Sequence, residues 1–146
     1  MNGLHPAVID KYTIYELLTR ECARLESISS TKIKISGGAE YSEIILSKKI
    51  KLNIFRIFQE CVSNAIKHGG AKTIEVFLSI DKYLVLMDIQ DDGCGYQLST
   101  HNKLTKSSGL GFISLHERVA LLNGQIDFES STDKGFNVRL VLPLDY

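Results

Sequence analysis

Glu60, Asn64 and Lys67 put a carboxylate, an amide and an ammonium at helical spacing within the stretch Phe55 to His68, FRIFQECVSNAIKH. On a helix, side chains three and four positions apart stack above one another on one surface. A magnesium-bound polyphosphate needs this mixture, because Mg²⁺ takes hard oxygen ligands and the phosphates take a cation. Ile54, Phe58, Cys61, Val62 and Ala65 mark one side of the same helix, and Asn53 joins the polar flank. The polar row therefore runs beside a core. Such a stripe is more often simply a solvated face, so the decision rests on what lies downstream.

Two glycine-bearing segments follow. Asp91-Asp92-Gly93-Cys94-Gly95 reads locally as an acidic turn. A carboxylate at the end of a buried strand can also accept a hydrogen bond from an exocyclic amine, a charge-assisted bond worth about 1.5 to 3 kcal/mol. Gly93 and Gly95 would let backbone approach a flat ring that a side chain would block. Ser107-Ser108-Gly109-Leu110-Gly111 leads into a helix, whose free amides make an anion site; the plainer reading is a hinge and an ordinary N-cap. Neither a Walker A loop nor a dinucleotide fingerprint is present.

The elements that must position these groups follow from periodicity. Pro6 opens a helix, and Ile14, Leu17, Leu18, Cys22 and Leu25 keep helical spacing in the span 7–25. Residues 31–36, TKIKIS, alternate before Gly37-Gly38 and predict a strand and a turn. Ser47 is the expected N-cap of the polar-flanked helix, and Gly69-Gly70 its end. Residues 73–80 and 83–90 predict adjacent antiparallel strands across Asp81-Lys82, with Asp91 where the second runs out. Residues 96–108 carry scarcely an apolar anchor and read as a lid-like loop. Phe112, Leu115, Val119 and Leu122 mark a helix ended by Gly124. Strands near 125–130 and 136–142 around the turn 132–135 complete the chain. The expected fold class is α+β, a two-layer sandwich of a mixed, mostly antiparallel sheet with helices on one face.

At 146 residues the chain fits one domain, which buries roughly 70% of the surface its unfolded form exposes. Seventeen basic residues cancel seventeen acidic ones, leaving no strong electrostatic footprint for nucleic acid or an anionic membrane. Cys22, Cys61 and Cys94 are odd in number and show no metal-knuckle spacing, so a reducing cytoplasm is expected. Cys61 and Cys94 read as small core or pocket hydrophobes. No apolar run approaches the roughly 18 residues that would span a bilayer, and no signal-peptide layout is present.

Taken together, the helix at 53–68, DDGCG and GLG resemble the N, G1 and G2 boxes of the ATP-binding fold shared by gyrase, Hsp90, sensor histidine kinases and mismatch-repair ATPases. QECVSNAIKH, the short lid and GLGFISLHERVALLNGQIDFESSTDKGFNVRLVLPL look most like the catalytic domain of nitrate-sensor-type histidine kinases, which pair with LuxR-type response regulators. The resemblance implies that ATP and Mg²⁺ are bound. Asn64 would ligate Mg²⁺, Glu60 would orient groups around the metal, and Lys67 and His68 would lie near the phosphates. Asp91 would bind the adenine amine, Gly93 and Gly95 would shape its pocket, and Gly109 and Gly111 with the Leu110 amide would cradle the phosphates. Phe136 stands where the wider superfamily often has threonine, so a hydroxyl contact to adenine would be missing. The lid also lacks the phenylalanine-bearing box of larger kinases.

The implied reaction passes the γ-phosphoryl of ATP to a histidine on a separate dimerisation domain. Residues 1–10 are expected to be the linker from those helices and 11–146 the catalytic domain. The isolated domain would be a monomer without direct membrane contact, and its parent a homodimer, often membrane-anchored. His116 is followed by Glu117 like a phosphoacceptor dipeptide, yet a helix capped by the phosphate cannot turn its own later turn onto it. His116 is read as surface or core, His5 as linker and His101 as lid. Two rivals share the fold: an anti-sigma-factor-type protein serine kinase and a non-catalytic interaction module.

Overall fold

The computed structural model describes residues 6–37, 46–94, 112–131 and 135–144. Gly95, Gly109, Leu110, Gly111, the expected lid at 96–108, His5 and His101 lie outside the described residues, as does most of the turn at 132–135. Four helices and five strands are described: α1 Pro6–Lys11, α2 Ile14–Ser27, β1 Lys32–Gly37, α3 Lys48–Lys67, β2 Thr73–Ile80, β3 Leu84–Asp91, α4 Phe112–Ala120, β4 Gln125–Ser131 and β5 Gly135–Pro143. The strands form one sheet in the order β1-β2-β3-β5-β4. β1 and β2 are parallel, and the other three pairings are antiparallel.

Alternation in the strands decides which face is covered. Ile74, Val76, Leu78 and Ile80 in β2, Val85, Met87 and Ile89 in β3, and Phe136, Val138, Leu140 and Leu142 in β5 are all buried. Thr73, Glu75 and Phe77, in the opposite phase of β2, are exposed. Period-two burial of this kind needs one covered face and one wet one. α2 packs against β1, α3 against β3 and α4 against β4. The expected two-layer α+β sandwich with a mixed, mostly antiparallel sheet is what forms.

α3 is the element on which the layers meet. Ser47 caps it with backbone φ −63° and ψ 156°, its hydroxyl accepting from the Ile50 amide at 3.1 Å. That satisfies one of the amides a helix start leaves open. Ile54, Ile57, Phe58 and Val62 are fully buried, each side chain contributing about 1.5 to 3 kcal/mol by burial. Asn64 falls at the margin of this face and is 9% exposed, while Glu60 and Lys67 are exposed. The polar flank is thus graded, from a buried amide to solvated charges.

The single helix expected over 7–25 is instead two. Thr13 adopts φ −68° and ψ 163°, which breaks the helix, and its hydroxyl accepts from the Glu16 amide at 3.1 Å. The Glu16 carboxylate accepts in return from the Thr13 amide at 2.9 Å. This reciprocal cap is spelled by Thr13-x-x-Glu16 ahead of an apolar run, a signal that helical spacing alone overrides. Residues 6–10 of the expected linker belong to α1. Ile9 is buried. Lys51 of α3 donates to the Ile9 and Tyr12 carbonyls at the end of α1, where a cation is favoured.

Candidate functional site

Asp91 is the last residue of β3 and continues the inward phase of Val85, Met87 and Ile89. That phase turns its carboxylate to the core side, where the residue is 5% exposed. It pairs in register with Ile74 on one side and Phe136 on the other. Burial pushes the carboxyl above its ordinary value, the nearby Asp92 charge adds to this, and hydrogen bonding from the Gly93 and Phe136 amides pulls it back. The Gly93 amide donates to the carboxylate at 2.8 Å. The carboxylate is thus desolvated yet keeps a backbone donor, and a buried polar group of this kind needs its hydrogen-bond partners.

Backbone contacts bring that carboxylate to the end of α3. The Asn64 carbonyl accepts from the His68 and Gly69 amides at 2.9 and 3.1 Å, closing the helix. The Gly69 carbonyl accepts in turn from the Cys94 amide at 2.9 Å. A Cβ on Gly93 would lie 2.5 Å from that same carbonyl, so only glycine lets the turn after Asp91 close on the helix end. Two of the three expected segments therefore meet at Gly69. On the third side, Gly135 has φ +86°, and a Cβ there would lie 2.0 Å from the Asp91 carbonyl.

Glu60 and Lys67 open onto a cleft of roughly 510 Å³ between α2, α3 and α4, together with Arg24, Arg56 and Arg118. Neither Asn64 nor Asp91 lines it, so this cleft holds the charged members of the flank and not the buried ones. Glu21 of α2, 7% exposed, accepts from both Arg24 nitrogens at 2.9 and 2.7 Å and from Gln59 of α3 at 2.9 Å. This fixes the helix turn that carries Glu60. His68 caps α3 and is exposed.

Among the described residues no three carboxylate, imidazole or thiol groups converge on a metal position. Asn64 and Glu60, one turn apart on α3, are the oxygen-bearing side chains of this flank that could hold an ion. A Mg²⁺ ion that arrives with a nucleotide needs only one or two protein oxygens, whereas a protein-only cage needs more.

His116 is half-buried and packs edge-on to Phe128 at 5.5 Å, with Phe128 stacked on Phe136 at 5.8 Å. It belongs to the packing between α4 and the sheet. Phe136, 5% exposed, thus fills the position after Gly135 with a core ring. Cys22 and Cys61 are buried, and burial pushes both thiols up to about 12. Cys94 is exposed. A neutral buried thiol is a poor nucleophile, so iodoacetamide at neutral pH should alkylate one cysteine of the folded protein, Cys94, and all three after unfolding. Mass spectrometry of the native reaction reads this directly.

Asp92 reads in the sequence only as a turn residue. In the fold its carboxylate accepts from the Lys72 amide at 2.8 Å, the Thr73 amide at 2.9 Å and the Thr73 hydroxyl at 2.8 Å. Hydrogen bonding, from Thr73 above all, holds its carboxyl below the ordinary 3.8. The charged form is the favoured one, so this contribution to stability is present above pH 3.8 and lost as pH falls through the lowered value. Urea unfolding midpoints of Asp92→Ala and the wild type should differ at pH 7 and converge on acidification below that range.

The fold is an α+β sandwich in which backbone bonds at Gly69 tie the turn after a desolvated carboxylate to the end of the helix that bears a buried amide. The chain belongs to the histidine kinase-, DNA gyrase B- and HSP90-like ATPase family, whose model matches residues 50–146. The signal transduction histidine-protein kinase/phosphatase DegS of Bacillus subtilis is 33% identical over 113 residues, covering 77% of this chain and 29% of that protein. A Chloroflexus aurantiacus protein described as an uncharacterized sensor-like histidine kinase is 26% identical over 97% of this chain and 24% of its own length. Sensor histidine kinase NarS of Mycobacterium tuberculosis is 30% identical over 97% of this chain and 32% of its own. The chain therefore spans about a quarter to a third of the length of these curated relatives. Among solved structures, the histidine kinase AdeS of Acinetobacter baumannii superposes with a TM-score of 0.68 at 16% identity, covering 91% of this chain and 64% of that one. The histidine kinase domain of the Erythrobacter litoralis blue-light activated kinase EL346 gives 0.68 at 16% identity over 90% and 61%. These two likenesses establish the fold.

Proposed function

We propose that this chain is the ATP-binding catalytic domain of a two-component sensor histidine kinase of the nitrate-sensor type. It would transfer the γ-phosphoryl of ATP to a histidine on the dimerisation domain of the same protein, with a LuxR-type response regulator downstream. The observation that carries the reading is the bridge at Gly69, which ties the turn holding the buried Asp91 carboxylate to the end of the helix bearing Asn64. Asp91 accepts from the adenine amine and Gly93 gives the ring room. Asn64 supplies an oxygen to Mg²⁺, Glu60 orients the water and phosphate oxygens around it, and Lys67 and His68 attract phosphate from the exposed end of α3. Gly95, Gly109, Leu110 and Gly111 complete the pocket in this reading. Mg²⁺ supplies charge neutralisation on the phosphates; the protein supplies position.

In the same reading, residues 1–10 lead from the dimerisation helices and 11–146 form the catalytic domain. The piece is a cytoplasmic monomer within a dimeric, membrane-anchored parent. No described helix is long and apolar enough to cross a membrane. Calorimetry with ATP and ADP, with and without Mg²⁺, tests the proposal. Wild-type protein should bind both, and Asn64→Ala should weaken Mg²⁺-ATP binding about tenfold, a loss of about 1.4 kcal/mol, while changing Mg²⁺-free ADP binding little. Failure of the wild type to bind either nucleotide would favour an interaction module.

A further inference from the structure

The turn that carries Asp91 is held by a residue that would itself touch no nucleotide. Beyond Asp91 the chain leaves β3, and the turn is tied back to the fold by the Gly93 amide bond to the Asp91 carboxylate, by the Cys94 bonds to the α3 end and by the set made by Asp92. Three of the Asp92 bonds are made by its carboxylate, whose two oxygens accept from Lys72, just before β2, and from Thr73, its first residue. A fourth runs from the Asp92 amide to the Thr73 carbonyl at 3.2 Å. The start of β2 is itself fixed: the Ala71 amide donates to Ala65 of α3 at 3.0 Å, and the Thr31 hydroxyl donates to the Ala71 carbonyl at 2.8 Å. Asp92 is exposed while Asp91 is buried, so the two adjacent carboxylates face different surroundings.

From this geometry, and on the nucleotide-pocket reading above, we infer that Asp92 is a positioning residue for base selection, clamping the strand end so that the Asp91 carboxylate meets the exocyclic amine of adenine. A carboxylate free to shift would lose directionality, and the bond that discriminates an amine from a carbonyl is the one most sensitive to it. Asp92 therefore acts on which purine is bound more than on how tightly phosphates are held.

Calorimetric affinities for ADP and inosine diphosphate, which carries a carbonyl in place of the amine, test this. The wild type should prefer ADP by at least about tenfold. Asp92→Ala should lose about tenfold in ADP affinity and little in inosine diphosphate affinity, so that the preference collapses. Asp92→Asn keeps an oxygen for the Lys72 and Thr73 amides and should recover most of it. A general loosening of the fold would weaken both nucleotides alike, and thermal melts identify any variant unfolded at the assay temperature. Should Asp92→Ala be unfolded, Thr73→Val removes only the hydroxyl bond and should reduce the preference about threefold. Retention of the wild-type preference in Asp92→Ala, or in Thr73→Val where that variant stands in for it, overturns the inference alone. A wild type that binds both diphosphates equally counts against the nucleotide-pocket reading as well.

Discussion

Asp91→Ala should weaken ADP binding by roughly 10- to 150-fold, the loss of one charge-assisted hydrogen bond of about 1.5 to 3 kcal/mol. The same residue should weigh on stability in the opposite sense. Its carboxyl sits above the ordinary 3.8 because burial disfavours the charge. A raised value in the folded state means the fold carries no penalty below pH 3.8, a growing one as pH rises through the window above it, and the full one beyond the raised value. Asp91→Asn keeps an oxygen for the Gly93 amide without the charge, so its melting temperature at pH 7 should exceed that of the wild type. The gain should vanish below pH 3.8. A site that lowers stability in order to bind is a common trade, and a variant both less stable and unimpaired in binding would contradict the role given to Asp91.

Gly135→Ala should be among the most damaging single-methyl changes in the chain. The new Cβ would stand 2.0 Å from the Asp91 carbonyl, on a backbone with φ +86°. The left-handed backbone costs a non-glycine residue about 1 to 2 kcal/mol, and overpacking against a fixed main chain adds about 1 to 3 kcal/mol. Gly70 provides the control, since it has φ +60° with nothing within 4 Å of its Cβ. Gly70→Ala should show the backbone term alone, about 1 to 2 kcal/mol. Urea unfolding of the two variants separates strain from collision, and ADP titration should find Gly135→Ala impaired because the strand end bearing Asp91 must move. Equal losses for the two would mean that β5 yields without disturbing β3.

Much of this architecture is legible in the order of the residues. α3 and its cap can be read because Ser47, the apolar spacing and Gly69-Gly70 agree; local signals that point the same way specify an element well. β2 falls on residues 73–80 as the β-rich run there predicts. The break at Thr13 is masked because its capping box lies inside a helical apolar pattern. Asp91 can be singled out from its neighbours and spacing. The brace made by Asp92 cannot, because its partners Lys72 and Thr73 are reached by strand pairing rather than by nearness in the chain. Gly135 reads as an ordinary turn glycine until β3 and β5 are side by side, when the Asp91 carbonyl occupies the space of its missing side chain. Gly69 reads as a helix terminator, and its second role as the wall against Gly93 is likewise a tertiary fact. Glu60 and Lys67 face a cleft that Asn64 does not line because α2 and α4 supply its other walls, which spacing on a single helix cannot convey.

On the proposed function, residues from the end of α3 and the end of β3 serve one bound nucleotide. A crystal structure grown with Mg²⁺ and a non-hydrolysable ATP analogue tests it most directly. The adenine amine should lie within hydrogen-bond reach of the Asp91 carboxylate and the metal on the Asn64 amide oxygen in the same molecule. A nucleotide seated wholly in the cleft between α2 and α4, with Asp91 untouched, would contradict it.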